Sequence, residues 1–271
     1  MTSVTEKKPM KFNRPSTLSV TVSVGRVTFM EIVRDKVLYN SILCSVLLMA
    51  AAYLASRLSF TRPERIVTDF GLSVANLAST LIAIFIGAPM LGREFERRTI
   101  YVALSKPISR FQFLLGKYFG LACVITVNWL LLGVSYLAIL KFVGGAIHAT
   151  LLWGLLLVLF QTFVVGAVAV MFSSLSTASV AAMLTLGIYI TGNNVSQFRF
   201  LAKKSDTVAG SKIMEWIADI FPNLEHFNLG TKVTYNLPVE LKDGLFSMGY
   251  AVLLVAAFLC FAGVLVRKKD A

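Results

Sequence analysis

The chain has 271 residues, 56% of them hydrophobic, and a mean hydropathy of +0.75. This composition excludes an ordinary soluble domain and is typical of a protein that crosses a membrane several times. The formal net charge of +12 does not indicate a nucleic-acid partner, because the basic residues flank apolar runs and do not gather with aromatic residues on one soluble face. They indicate orientation in a membrane.

The beginning of the chain is polar. Residues 1–19 contain lysines and prolines among few apolar groups, which predicts a disordered cytoplasmic tail without a cleaved signal peptide. From 20 to 37, Phe29, Ile32 and Val33 recur at helical spacing opposite charged residues. This pattern predicts an amphipathic helix on the membrane surface, or alternatively a simple cytoplasmic extension of the first span.

Six apolar runs follow, at about 38–58, 72–91, 119–140, 151–172, 178–191 and 245–266. A helix needs about 20 residues to cross the hydrocarbon, so five runs are long enough and the fifth is marginal. We therefore predict an all-α fold in which residues 20–271 form a single six-span transmembrane domain.

The distribution of lysine and arginine predicts the orientation of these spans. With the N-terminus inside, sixteen basic residues face the cytoplasm and ten face outward, and most of the outer ones are spread along the long loop 194–243. Because basic residues in short loops favour the cytoplasmic side, both termini are expected to be cytoplasmic.

The outer loop 194–243 contains one amphipathic stretch. Its apolar positions include Trp216, Ile217 and Ile220, and Pro222 ends the pattern. The stretch predicts a helix at the outer membrane interface or a lid over the outer end of a pathway, and packing on neighbouring loops is an equal alternative.

The chain lacks a recognisable catalytic or metal site. His148 and His226 stand apart from any nucleophile pattern, and a metal site is not expected because the three cysteines lie singly in apolar runs. Gly116 and Lys117 resemble the end of a phosphate-binding loop, but Phe111 replaces its first glycine. No cofactor is expected in this chain, and any ATP must be used by another polypeptide.

The apolar runs carry uncharged polar residues, among them Asn40, Asn76, Asn128 and Gln161. Hydrogen bonds between helices explain them, and contact with a substrate remains an alternative. The absence of charge inside the runs argues against a proton- or sodium-coupled carrier.

The densest charged cluster lies between the second and third runs, at residues 92–112. Glu94 and Glu96 open it, Thr99 begins a short helical pattern, Pro107 breaks this pattern, and Ser109 is placed to cap the next helix. A helix, a break and a second helix predict a rigid element on which a partner can exert force.

This segment resembles the hallmark of ABC-2 type permeases, the membrane subunits of ATP-binding-cassette exporters. That hallmark combines an acidic residue, a threonine, a leucine-containing turn, a Pro-Ile-Ser-Arg element and a Gly-Lys pair. The matching residues are Glu94, Glu96, Thr99, Leu104, Ser105, Lys106, Pro107, Ile108, Ser109, Arg110, Gly116 and Lys117. Arg98 departs from the family, in which many members have glycine before the threonine.

The resemblance implies a permease without enzymatic activity in the cytoplasmic membrane of a prokaryote. It implies two cytosolic ATPase subunits that bind ATP and magnesium, and a second permease copy or close paralogue in the same bilayer. The hallmark residues would then couple the ATPase to the spans, and the substrate would be exported. A secondary carrier or channel, and a membrane anchor or assembly protein, are the alternatives.

Overall fold

The structure is a computed structural model that describes residues 17–34, 43, 46, 47, 49–51, 53, 54, 57, 63–92, 109–204 and 208–268. Several predicted functional residues lie outside this part of the chain, namely Asn40, Glu94, Glu96, Thr99, Leu104, Ser105, Lys106 and Pro107. Their assignments stay predictions.

All regular secondary structure in the described ranges is helical. The helices are α1 (Thr17–Arg34), α2 (Pro63–Gly87), α3 (Arg110–Phe142), α4 (Ala149–Ser173), α5 (Ala178–Gly192), α6 (Val195–Lys204), α7 (Val208–Ile220), α8 (Gly230–Thr234) and α9 (Leu241–Lys268), with a 3-10 turn at Glu225–Phe227. The described positions between 43 and 57 are helical as well.

Among the described residues, four helices, α2, α3, α4 and α9, are long and apolar enough to cross a membrane. The fifth apolar run forms α5, which has only 15 residues. At a rise of ~1.5 Å per residue this helix is about 22 Å long, shorter than a hydrocarbon layer of about 30 Å. The predicted first span is described only in part, so the number of six spans stays a prediction.

The bundle has two ends. At the end called here the lower end, α2, α4 and α9 finish and α3 begins; at the upper end, α3 finishes, α4 begins and residues 193–240 gather. Helix α4 lies at the centre, because it packs on α2, α3, α5 and α9 and most of its residues are buried.

Two hydrophobic clusters fill the bundle. The upper cluster includes Leu72, Ala78, Leu132 and Tyr136, and the lower cluster includes Ile82, Leu91, Leu121 and Ile125. Both draw residues from α2, α3 and α4, so these three helices form the core.

The helix boundaries differ from the prediction where apolar periodicity is weak. Helix α1 begins at Thr17, three residues before the predicted surface helix and inside the segment expected to be a disordered tail. Helix α3 begins at Arg110, as the predicted cap at Ser109 requires, and thus extends nine residues beyond the start of the apolar run, because its first turns pack on α1. Helix α6 was not predicted, since residues 195–204 include three basic side chains.

Candidate functional site

The beginning of α3 is fixed by a capping box. The Gln112 N–H donates to Ser109 Oγ at 3.2 Å, and the Ser109 N–H donates to the Gln112 side chain at 3.0 Å. Two amide groups that a helix cannot pair internally are satisfied in this way, so the predicted cap at Ser109 is confirmed. The next residue, Arg110, donates from Nη1 to the Val266 carbonyl at 3.3 Å, which joins the start of α3 to the end of α9.

The other border of the 93–108 segment is also anchored. The N–H groups of Leu91 and Gly92 donate to Ser173 Oγ at 2.9 and 3.2 Å. Ser173 is the last residue of α4 and is fully buried. The segment therefore leaves and re-enters the described bundle at its lower end, beside α4 on one side and α9 on the other.

Helix α1 crosses α3 in direct backbone contact at the same end. A Cβ atom on Gly120 would lie 2.7 Å from both the Gly25 carbonyl oxygen and Thr28 Cβ, and one on Gly116 would lie 2.6 Å from Val24 Cβ. Only glycine fits at these positions. The sequence contained a signal that our prediction missed, because Gly116 and Gly120 have the spacing of small residues that lets two helices approach closely.

An ion pair lies beside this crossing. Lys117 Nζ is 3.3 Å from Glu31 Oε2, and the Lys117 side chain is only 8% exposed whereas that of Glu31 is 57% exposed. The ammonium group also lies 5.8 Å from the centre of the Phe113 ring. Lys117, predicted as a coupling residue, thus contacts α1 within the protein.

The predicted apolar face of α1 turns toward the bundle. Ile32 is buried, and Phe29 and Val33 are half-buried against the lower cluster. The opposite face exposes Val27 and Met30, as expected of a helix that also borders the membrane.

The described polar residues of the spans, Asn76, Asn128 and Gln161, lie at the middle of the bundle. Gln161 Nε2 donates to Asn193 Oδ1 at 3.0 Å, which joins α4 to the end of α5. Thr80 Oγ1 donates to Asn76 Oδ1 at 3.4 Å within α2. Asn128 is fully buried in α3. Hydrogen bonding between helices, one of the two interpretations of these residues, is therefore observed for Gln161.

The upper end carries a hairpin of α6 and α7, which pack mainly on each other. An ion pair between Arg199 Nη2 and Asp219 Oδ1 at 3.3 Å closes it. Glu225 accepts hydrogen bonds from the N–H and hydroxyl groups of Ser196, so a carboxylate lies at the beginning of α6. A negative charge at the N-terminus of a helix interacts favourably with the helix dipole, which helps explain why the basic sequence of α6 is helical.

The predicted lid residues lie on this hairpin. Trp216 is 71% exposed and Ile220 is also exposed, whereas Ile217 is half-buried. Nearby, the His226 ring packs edge-on against Phe246 and Tyr250, which gives it a packing role at the base of the upper end.

Among the described helices, four are long and apolar, and three of them pack around the fourth, α4, as expected of a membrane-embedded helical protein. The chain belongs to the ABC-2 family of transporters, because the model of the ABC-2 family transporter protein matches residues 29–270. It is therefore a membrane subunit of a transport system. No curated protein matches the chain.

Proposed function

We propose that this chain is the permease subunit of an ATP-driven exporter in the cytoplasmic membrane of a prokaryote, and that a separate ATPase docks on its lower end. One observation carries the proposal: α1, Gly92 and Ser109 all lie at that end. The two borders of the 93–108 segment are held by Ser173 and by the α3 cap. A partner that binds this segment and α1 therefore acts on helices at the core.

The contacts of α3 suggest how a movement would spread. Because the backbones of α1 and α3 are in direct contact at Gly120, α1 and the first half of α3 move together. At 33 residues, α3 is about 50 Å long and reaches the upper end. Along its second half, Trp129 Nε1 donates to the Leu155 carbonyl and the Tyr136 hydroxyl donates to the Thr68 carbonyl, which link α3 to α4 and α2.

The cycle then follows from two states with different contacts. Two ATPase subunits bind ATP and magnesium, close on each other, and pull or release the lower ends of this chain and of a second copy or close paralogue. Each nucleotide state favours one arrangement of the spans, and the substrate leaves on the outer side. Both termini of the permease face the cytoplasm.

The test is co-expression of the tagged chain with an ABC ATPase from the same genome. We expect the two to co-purify. The amount of ATPase recovered with the double variant Glu94→Ala/Glu96→Ala should be lower by about ten-fold or more, while the amount of permease inserted in the membrane stays unchanged. Glu240→Ala, at an exposed position of the upper end, is the matched control and should bind as the wild type does.

Equal ATPase recovery with the double variant would contradict the assignment of the docking segment. Reconstitution into vesicles separates the other classes of function. A secondary carrier would move solute without the ATPase, and an anchor or assembly protein would bind the ATPase without ATP-dependent transport.

A further inference from the structure

Three buried polar side chains, one on each core helix, have atoms without a protein partner in the described part of the chain. The atoms are Ser79 Oγ on α2, both side-chain polar atoms of Asn128 on α3, and Gln161 Oε1 on α4. The three residues are 1%, 1% and 0% exposed. Buried polar atoms in a native protein are nearly always hydrogen-bonded, since leaving them unpaired is costly.

The register of α2 against α4 places two of these side chains opposite each other. A Cβ atom on Gly154 would lie 3.3 Å from the Leu72 side chain, and one on Gly87 would lie 2.8 Å from Ala169 Cβ. In both pairs the two positions are 82 residues apart, and the two helices run in the same direction. Ser79 on α2 and Gln161 on α4 are also 82 residues apart. Each also lies two turns from the first pair, on the same helix face.

The third side chain faces the same place. Leu121 on α3 lies 3.5 Å from a Cβ atom built on Gly87 and 3.4 Å from one on Gly166, so it points between α2 and α4. Asn128 is two turns further along this face. Another two turns on, the Tyr136 hydroxyl reaches the α2 backbone. Asn128 therefore points into the interface of α2 and α4, at the level between these two contacts.

We propose that Ser79, Asn128 and Gln161 form a buried water-binding site at the middle of the bundle, where roughly one or two waters bridge α2, α3 and α4. Hydroxyl and amide groups supply both donors and acceptors, which suits water. None of the three is charged, so the site has no carboxylate to bind a cation. Apolar residues of the upper and lower clusters, such as Leu132 and Ile125, close it on both sides.

The first test is a double-mutant cycle on the full chain in detergent, read by thermal unfolding. Ser79→Ala and Asn128→Leu each remove hydrogen bonds to the shared water, so each should lower the Tm by roughly 2–5 °C. The double variant should lose clearly less than the sum, because both changes break one bridge.

The matched control is Ser135→Ala. Its hydroxyl also lies on α3, but it donates to the Leu131 carbonyl of its own helix, so we expect a shift of less than about 1 °C. Additive increases in Tm from the two core substitutions would overturn the proposal. Such increases are expected if no water is bound, because each substitution then replaces an unpaired buried polar group with an apolar one.

A second measurement needs no variant and stands if the variants fail to fold. X-ray radiolytic labelling of the unmodified chain oxidises side chains beside bound water. With each rate divided by the reactivity of the same side chain in a free peptide, we expect at least two-fold more oxidation at the buried aliphatic side chains that border the site, Ile125 and Leu132, than at the buried valines of the stretch 164–170 of α4. Equal labelling would overturn the site, and so would a Tm gain with sodium chloride that N-methylglucamine chloride does not produce, because the ligand would then be a cation.

Discussion

At the scale of single residues, the lower end depends on two hydroxyl groups, Ser109 with a partner three residues away and Ser173 with partners that are distant in sequence. Ser109 was predictable, since a serine two residues after a proline and before an apolar run is a common helix start. Ser173 was not. Its sequence context, Phe172-Ser173-Ser174, indicates only the turn between two spans, while the amides that it binds lie more than 80 positions earlier.

Ser173→Ala should destabilise the protein by about 1–3 kcal/mol, because the amides of Leu91 and Gly92 lose their acceptor in a buried setting. Ser176→Ala is the matched control. Its hydroxyl donates to the Phe172 carbonyl in the same turn, and we expect an effect below about 0.5 kcal/mol. Thermal unfolding of both variants in one detergent measures the difference, and an equal loss in both would show that Ser173 does not hold the 91–92 backbone.

At the scale of helices, composition predicted which segments are apolar better than it predicted where they begin and end. The beginning of α3 contains the polar residues Arg110, Gln112 and Lys117, so hydropathy does not assign it to the apolar run. It is helical because the Ser109 cap and the packing on α1 stabilise it. The end of α5 depends on a distant contact as well. The Leu224 N–H donates to the Gly192 carbonyl at 2.9 Å, so the outer loop closes the helix after 15 residues.

The crossing of α1 and α3 predicts an asymmetry between two glycines of one helix. Gly120→Ala should cost about 1–3 kcal/mol, because its methyl group would meet the Gly25 carbonyl and Thr28. Gly133→Ala should be neutral or stabilising by up to about 1 kcal/mol, since no atom lies within 4 Å of its Cβ position and alanine favours the helix. Thermal unfolding tests both variants, and a reversed order would contradict the close contact of these helices.

The exposed face of α7 makes a separate prediction about the upper end. In a chain with Trp129→Phe and Trp153→Phe, Trp216 is the single tryptophan, and its 71% exposure leaves it available to lipid. If α7 lies at the outer interface, lipids brominated near the headgroup should quench its emission by at least about a third, because tryptophan prefers that layer. Emission typical of water and no quenching would instead support a position away from the bilayer.

At the scale of the whole molecule, the family and the apolar helices establish a membrane transport subunit. The distribution of lysine and arginine predicts its orientation. The orientation was predicted from lysine and arginine alone, whereas the grouping of α1, Gly92, Ser109 and the end of α9 at one end of the bundle required the structure. Sequence patterns report which segment is apolar. They do not report which distant segments share an end of the bundle, because those contacts link residues up to 156 positions apart.

Cysteine labelling tests this orientation on the intact chain. In a background with Cys44, Cys123 and Cys260 replaced by serine, Arg34→Cys lies at the lower end and Lys203→Cys at the upper end, both at exposed positions. A membrane-impermeant maleimide should label Lys203→Cys on intact spheroplasts at least about ten-fold faster than Arg34→Cys, because the orientation predicted from the basic residues places the lower end in the cytoplasm. Permeabilised cells, in which both sites should react, are the control. Labelling of Arg34→Cys alone from outside would show that the protein has the inverted orientation. The proposed ATPase could not then reach the segment between Gly92 and Ser109.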